Sequence, residues 1–218
     1  MRLVTTTACV VMFGLLSLAG GLSLIPSTSI PLPGAEITLQ VTGAPAGVQF
    51  KWDFDGDGRP DATTGQPWAS WTVPAGPWEV AVDLVQAGQP LARVSTLVVA
   101  DERAGATREV HWTPSGVEVT ITILARTRIM APGLTVDVPP GWVVTSLDPS
   151  TMNEQGQLEI LPSSAMELYP GQELTVSYVM YPPSSGARAR SMAWVTGYVG
   201  VAGRVERVAI PVAGPVSF

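Results

Sequence analysis

Apolar and polar positions alternate along most of the chain. Val48, Phe50, Trp52 and Phe54 are interleaved with Gln49, Lys51, Asp53 and Asp55, and Trp78, Val80, Val82 and Leu84 with Glu79, Ala81 and Asp83. Period two puts one set of side chains on a covered face and the other in solvent, so these stretches predict half-buried strands. Residues 36–42 and 91–99 follow the same rule more weakly, with Gly/Pro turns between. Strands resume with the alternating Val117, Val119, Ile121 and Ile123, then Leu134, Val136 and Val138, and further ones are read at 142–145, 158–161, 174–180, 193–199 and 205–212. No segment after residue 25 requires a helix.

Five strands in about 70 residues make a small β-sandwich, and seven or eight over about 110 residues match an immunoglobulin-like sandwich in size. The polar, small-residue stretch 101–107 separates them as a linker. The expected fold class is therefore all-β: two tandem immunoglobulin-like β-sandwiches, at 35–100 and 108–218, after an N-terminal apolar helix.

That helix is read within residues 1–25, where 3–25 carry no charge and Arg2 precedes them. The most apolar part, 8–19, has the length of a signal-peptide core, and Ser17 and Ala19 supply small residues before a cut after Ala19. The competing reading keeps the segment as an uncleaved membrane anchor, extended through 20–25 to a 23-residue span. Both lead to export. Residues 26–34, rich in Pro and Ser, read as an extended tether.

Composition adds exclusions. Of 218 residues, 46% are hydrophobic and 14% charged, with 22 Gly and 20 Pro, which fits a punctuated β protein better than a helical bundle. A net charge of −6 speaks against nucleic acid as a partner. The single Cys, Cys9, lies in the leader, which excludes disulfide frameworks, Cys-rich zinc sites and thiol chemistry from the body. The single His, His111, has no Gly-x-Ser-x-Gly elbow to serve, so it reads as a strand-edge histidine and no catalytic residue is expected.

The sharpest constellation is Asp53-x-Asp55-x-Asp57-Gly58-x-x-Asp61. Alternate carboxylates, a turn-making Gly and a fourth carboxylate suit calcium, as in the opening half of an EF-hand loop, although Thr64 stands where that loop has a bidentate Glu. The same residues also suit a plain turn in which Asp side chains accept bonds from local backbone. No cofactor is required; calcium, if bound, would be structural. Among seven Trp residues, Trp52, Trp78 and Trp142 fall on inward or turn positions. Trp68 and Trp71, three apart in an extended segment, point to opposite faces, and Trp68 is the candidate glycan- or protein-binding surface. Arg126 with Arg128, and Arg188 with Arg190, read as solvated or acid-paired cations.

Phe50-Lys-Trp-Asp-Phe-Asp-Gly-Asp-Gly58 resembles the Trp-Asp-Phe-Gly-Asp-Gly strand and turn of the PKD family, with an extra Asp. Gly76, Trp78 and Val80 resemble its later Gly-x-Tyr-x-Val signature, while Trp71 and Val73 stand where that family has His and Tyr. The resemblance spans about residues 30–100 and implies an immunoglobulin-like module in which packing replaces the network built on that His. More loosely, Pro139-Pro-Gly-Trp142, Leu168-Tyr-Pro-Gly-Gln172 and Pro182-Pro-Ser-Ser-Gly186 resemble the NEW3-type immunoglobulin-like modules of bacterial carbohydrate-active and surface proteins.

The function expected from these readings is that of a non-enzymatic, exported bacterial envelope protein, binding or assembling with a surface protein through loops and edge strands. The alternative is an accessory carbohydrate-binding protein, and a hydrolase is the remaining one. Its location would be the periplasm, the cell surface or the medium, touching membrane only through residues 3–25 if they are retained.

Overall fold

A computed structural model describes residues 21–184 and 187–217. Everything in them is strand, turn or irregular backbone, and the sheets are antiparallel. Of the leader read at residues 1–25, residues 1–20 lie outside the described residues. No helix among the described residues is long and apolar enough to cross a membrane.

The first core lies between two sheets. One orders β1 (Ser23–Pro26), β2 (Glu36–Thr42) and β5 (Trp68–Thr72); the other orders β4 (Ala62–Thr64), β3 (Gln49–Asp53), β6 (Gly76–Gln86) and β7 (Gln89–Ala100). Ile37, Leu39 and Val41 of β2 meet Phe50 and Trp52 of β3 and Val80, Val82 and Leu84 of β6, as the alternation predicts.

The second core lies between β11 (Val143–Ser146), β15 (Glu173–Tyr181), β9 (Val117–Ala125) and β8 (Ala104–Trp112) on one side and a six-stranded sheet on the other. That sheet orders β12 (Ser150–Met152), β13 (Gln157–Ile160), β10 (Ile129–Asp137), β16 (Ala193–Val201) and β17 (Arg204–Pro211), with β14 (Glu167–Leu168) also pairing β10.

Strand β7 belongs to both cores. Val98 and Ala100 face the first, while Leu97 and Val99 face the second. Only Thr96–Ala100 of this strand are buried on both faces, and they supply the apolar run that breaks the alternation at the end of 91–99.

Three expectations need correction. Residues 104–107 of the expected linker are the start of β8, with Ala104 and Ala106 in the second core. Small residues are used there because a side chain at Gly105 would sit 2.8 Å from Ile30 Cδ1 and 2.9 Å from Ile30 Cβ. The tether of 26–34 is docked: Pro26 ends β1, Ser29 O accepts from Val99 N at 2.9 Å, and Ile30 packs on the second core. Of the residues read as extending an anchor, 21–25 do not do so, because Leu24 is buried in the first core and Ser23–Pro26 pairs with Leu39–Thr42; Gly20 lies outside the described residues.

Residues 212–217 close the seam between the cores. Gly214 N donates to Leu97 O at 2.9 Å, Ala213 N to Ala106 O at 2.8 Å, and Ser191 N to Val216 O at 2.9 Å. Arg126, half-buried at the same seam, donates from its guanidinium to the carbonyls of Ile30, Pro31 and Asp101. Arg190 reaches across to Glu79, with Nη2 2.7 Å from Oε2.

Candidate functional site

The acidic loop grows out of β3. Phe50, Trp52 and Phe54 project to one side and stack in sequence, with centroids 6.2 and 6.4 Å apart. Asp53 therefore points the other way. It is 1% exposed and accepts from Gly56 N at 2.8 Å on Oδ1 and from Gly58 N at 3.1 Å on Oδ2. Arg93 Nη2 also donates to Oδ2, at 2.6 Å, and its Nη1 donates to Asp83 Oδ2 at 2.7 Å. Hydrogen bonding to Asp53, opposed by partial burial, raises the Arg93 pKa above its ordinary value.

Asp61 Oδ2 accepts from Phe54 N at 2.7 Å, and Asp55 Oδ1 from Asp57 N at 3.1 Å. Oxygens of Asp53, Asp55 and Asp61 lie within 4.8 Å of one another. Asp57 is outside that group; its Oδ1 caps the turn by accepting from Arg59 N at 2.7 Å. Gly56 holds φ at +74°, and a side chain there would meet Glu79 O at 2.9 Å. Thr64, at the EF-hand Glu position, binds Trp52 Nε1 at 3.0 Å and Gln66 O at 2.7 Å through its hydroxyl. Of the four lone-pair positions of Asp53, backbone and Arg93 occupy three. A cation at this loop therefore shares Asp53 with a guanidinium already serving as its counter-charge.

Trp68 and Trp71 do point to opposite faces. Trp68 is 53% exposed, whereas Trp71 stacks on Phe54 at 5.7 Å and meets the edge of Trp78 at 6.3 Å. Trp52 and Trp142 are buried, and Trp78 packs against the first core with its indole N–H donated to Pro74 O at 3.0 Å. His111 is exposed on β8, the end strand of its sheet. Arg128 pairs with Glu167 at 2.6 Å.

An unexpected surface lies at the opposite end of that sheet. Strand β11 is the other end strand, and Val143 on it sits opposite Tyr181 of β15. Val143, Tyr181 and the fully exposed Leu147 put apolar area in solvent beside a groove of about 410 Å³ lined by Thr120, Ser177 and Val179. The sequence offers no signal that Val143 faces solvent while its neighbour Val144 packs against the second core.

No family model and no curated protein sequence matches the chain. Among solved structures, a chitinase from Bacillus thuringiensis is 15% identical over 74% of this chain and 26% of its own, with a TM-score of 0.36. A protein described as membrane anchored, from Corynebacterium diphtheriae, is 12% identical over 92% of this chain and 58% of its own, at 0.35. An exo-β-N-acetylglucosaminidase from Vibrio harveyi is 15% identical over 51% of this chain and 18% of its own, at 0.33. The chain thus spans less than two thirds of each, and at these scores the likenesses carry neither fold nor function over to it.

Proposed function

We propose that the chain is an exported, non-enzymatic module of a bacterial envelope, made of a PKD-like and a NEW3-like immunoglobulin-like sandwich, that binds an extended segment of another envelope protein. One observation carries this reading: the end strand β11 is bordered by the exposed apolar side chains of Val143, Leu147 and Tyr181. An end strand offers backbone donors and acceptors to an incoming strand, and flanking apolar groups give that strand something to cover. The uncharged leader supports export, and the seam formed by β7 and residues 212–217 supports display of this edge on a stiff unit.

Crosslinking and affinity recovery from native cells test it. Stoichiometric complexes with envelope proteins are expected from the wild type and lost from a Val143→Lys, Leu147→Asp variant that keeps its melting temperature. Retardation by polysaccharide that disappears on Trp68→Ala would instead establish the carbohydrate-binding alternative, which rests on the exposed indole of Trp68.

A further inference from the structure

Arg108 and Tyr178 lie on the inner face of one sheet, 4% and 2% exposed. Their strands, β8 and β15, flank β9, where Arg108 is opposite Ile121 and Tyr178 is opposite Val119. The two side chains thus hold diagonal positions across a single strand. Arg108 Nη1 donates to Ser191 O at 2.6 Å and to Pro215 O at 3.3 Å. Its Nε and Nη2, and the Tyr178 hydroxyl, are buried with no hydrogen-bond partner among the described residues. None of the ion pairs among those residues includes Arg108.

A buried guanidinium keeps its proton, so its charge and its unspent N–H groups both need an answer. Burial does pull Arg108 below the usual guanidinium value, yet nothing acidic balances it. Tyr178 is no counter-charge, because burial pushes its hydroxyl up to about 12 and keeps it neutral, a donor rather than an anion. A water molecule would accept a hydrogen bond and leave the charge uncompensated. An anion does both.

We infer that Arg108 Nε and Nη2 and the Tyr178 hydroxyl bind a small inorganic monovalent anion of halide size, chloride in ordinary salt, inside the second core. The register neighbours Val119, Ile121 and Val176 are buried and apolar, surroundings in which every further charge is costly, so a single small charge is what balances the guanidinium. The same guanidinium holds the carbonyls of Ser191 and Pro215, so the anion fixes the orientation of the group that ties residues 212–217 to the seam.

Two measurements on the full chain decide this. In wild-type crystals soaked in bromide, an anomalous peak is expected within hydrogen-bond reach of Arg108 Nη2 and the Tyr178 hydroxyl. Water density without anomalous signal there, or bromide only at exposed positions, overturns the proposal. In solution, replacing gluconate by chloride at constant ionic strength is expected to raise Tm on the order of 3 °C once chloride exceeds its Kd about tenfold. Tyr178→Phe should weaken that rise and Arg108→Met abolish it. Should Arg108→Met fail to fold, the wild-type titration stands alone, and a flat Tm counts against the site.

Discussion

Arg93 Nη2 lies 2.6 Å from Oδ2 of Asp53, a carboxylate otherwise bonded only to backbone of its own loop. The guanidinium is itself partly exposed, so it neutralises a buried acid from the solvent side. Arg93→Met is expected to lower stability by about 2 kcal/mol, the scale of a hydrogen bond to a charged group. Asp53→Ala should cost more, because Gly56 and Gly58 lose their acceptor as well. Urea unfolding of the two variants gives the comparison.

The same pair sets the terms for calcium. If Asp53, Asp55 and Asp61 hold the ion, millimolar Ca²⁺ should raise Tm, more in Arg93→Met than in the wild type, and Asp55→Ala should erase the effect. Equal melting curves with Ca²⁺ and with chelator, in both backgrounds, would retire the metal reading.

Glu79 titrates against Arg190. The hydrogen bond from Arg190 holds its carboxyl below the ordinary value of 4.5 despite some desolvation. With the folded pKa depressed, the unfolded chain binds the proton first as pH falls. The contribution is therefore whole above about 4.5 and is lost as pH drops through the folded value. Glu79→Gln should flatten this part of the stability profile below pH 4.5 and lower stability at pH 7 by that same amount, a small one because the pair is exposed.

Arg126 keeps residues 27–34 in place through the carbonyls of Ile30 and Pro31. Arg126→Ala should cost about 2 kcal/mol and open the Ile30 and Leu32 region to thermolysin. An unchanged digestion pattern would mean that Ile30 packing alone suffices.

The two neighbouring tryptophans should separate cleanly. Trp68→Ala is expected to stay within about 0.5 kcal/mol of the wild type, whereas Trp71→Ala should lose about 3 kcal/mol with its stack on Phe54. Thermal melts of both variants check this.

The sequence made the alternating strands of the first core legible, and the spacing of Trp68 and Trp71 gave their opposite faces, because both depend only on strand period. Strand β8 carries no apolar stripe: its inner positions begin with the small Ala104 and Ala106 and continue with the charged Arg108. The acidic loop was visible as a motif, but Arg93 was not, since pairing of β3, β6 and β7 brings it from 40 residues away. Val143 and Leu147 resemble core residues by type, and only the sheet order reveals that they border an end strand. Arg108 carries no signal in the sequence, because nothing local announces that its face is covered.

The pairing of residues 212–217 with β7 and β8 also bears on the order of assembly. Strands of the first core end at Ala100, so that half has its partners early in synthesis. The tie from Arg108 to Pro215 spans 107 residues, a loop that closes slowly and late. Until then Leu97 and Val99, which face the second core, lack the part of their cover that residues 212–217 supply. A chain interrupted before residue 213 is therefore left with a finished first half and a sticky flank, a natural handle for chaperones or proteases that remove incomplete copies.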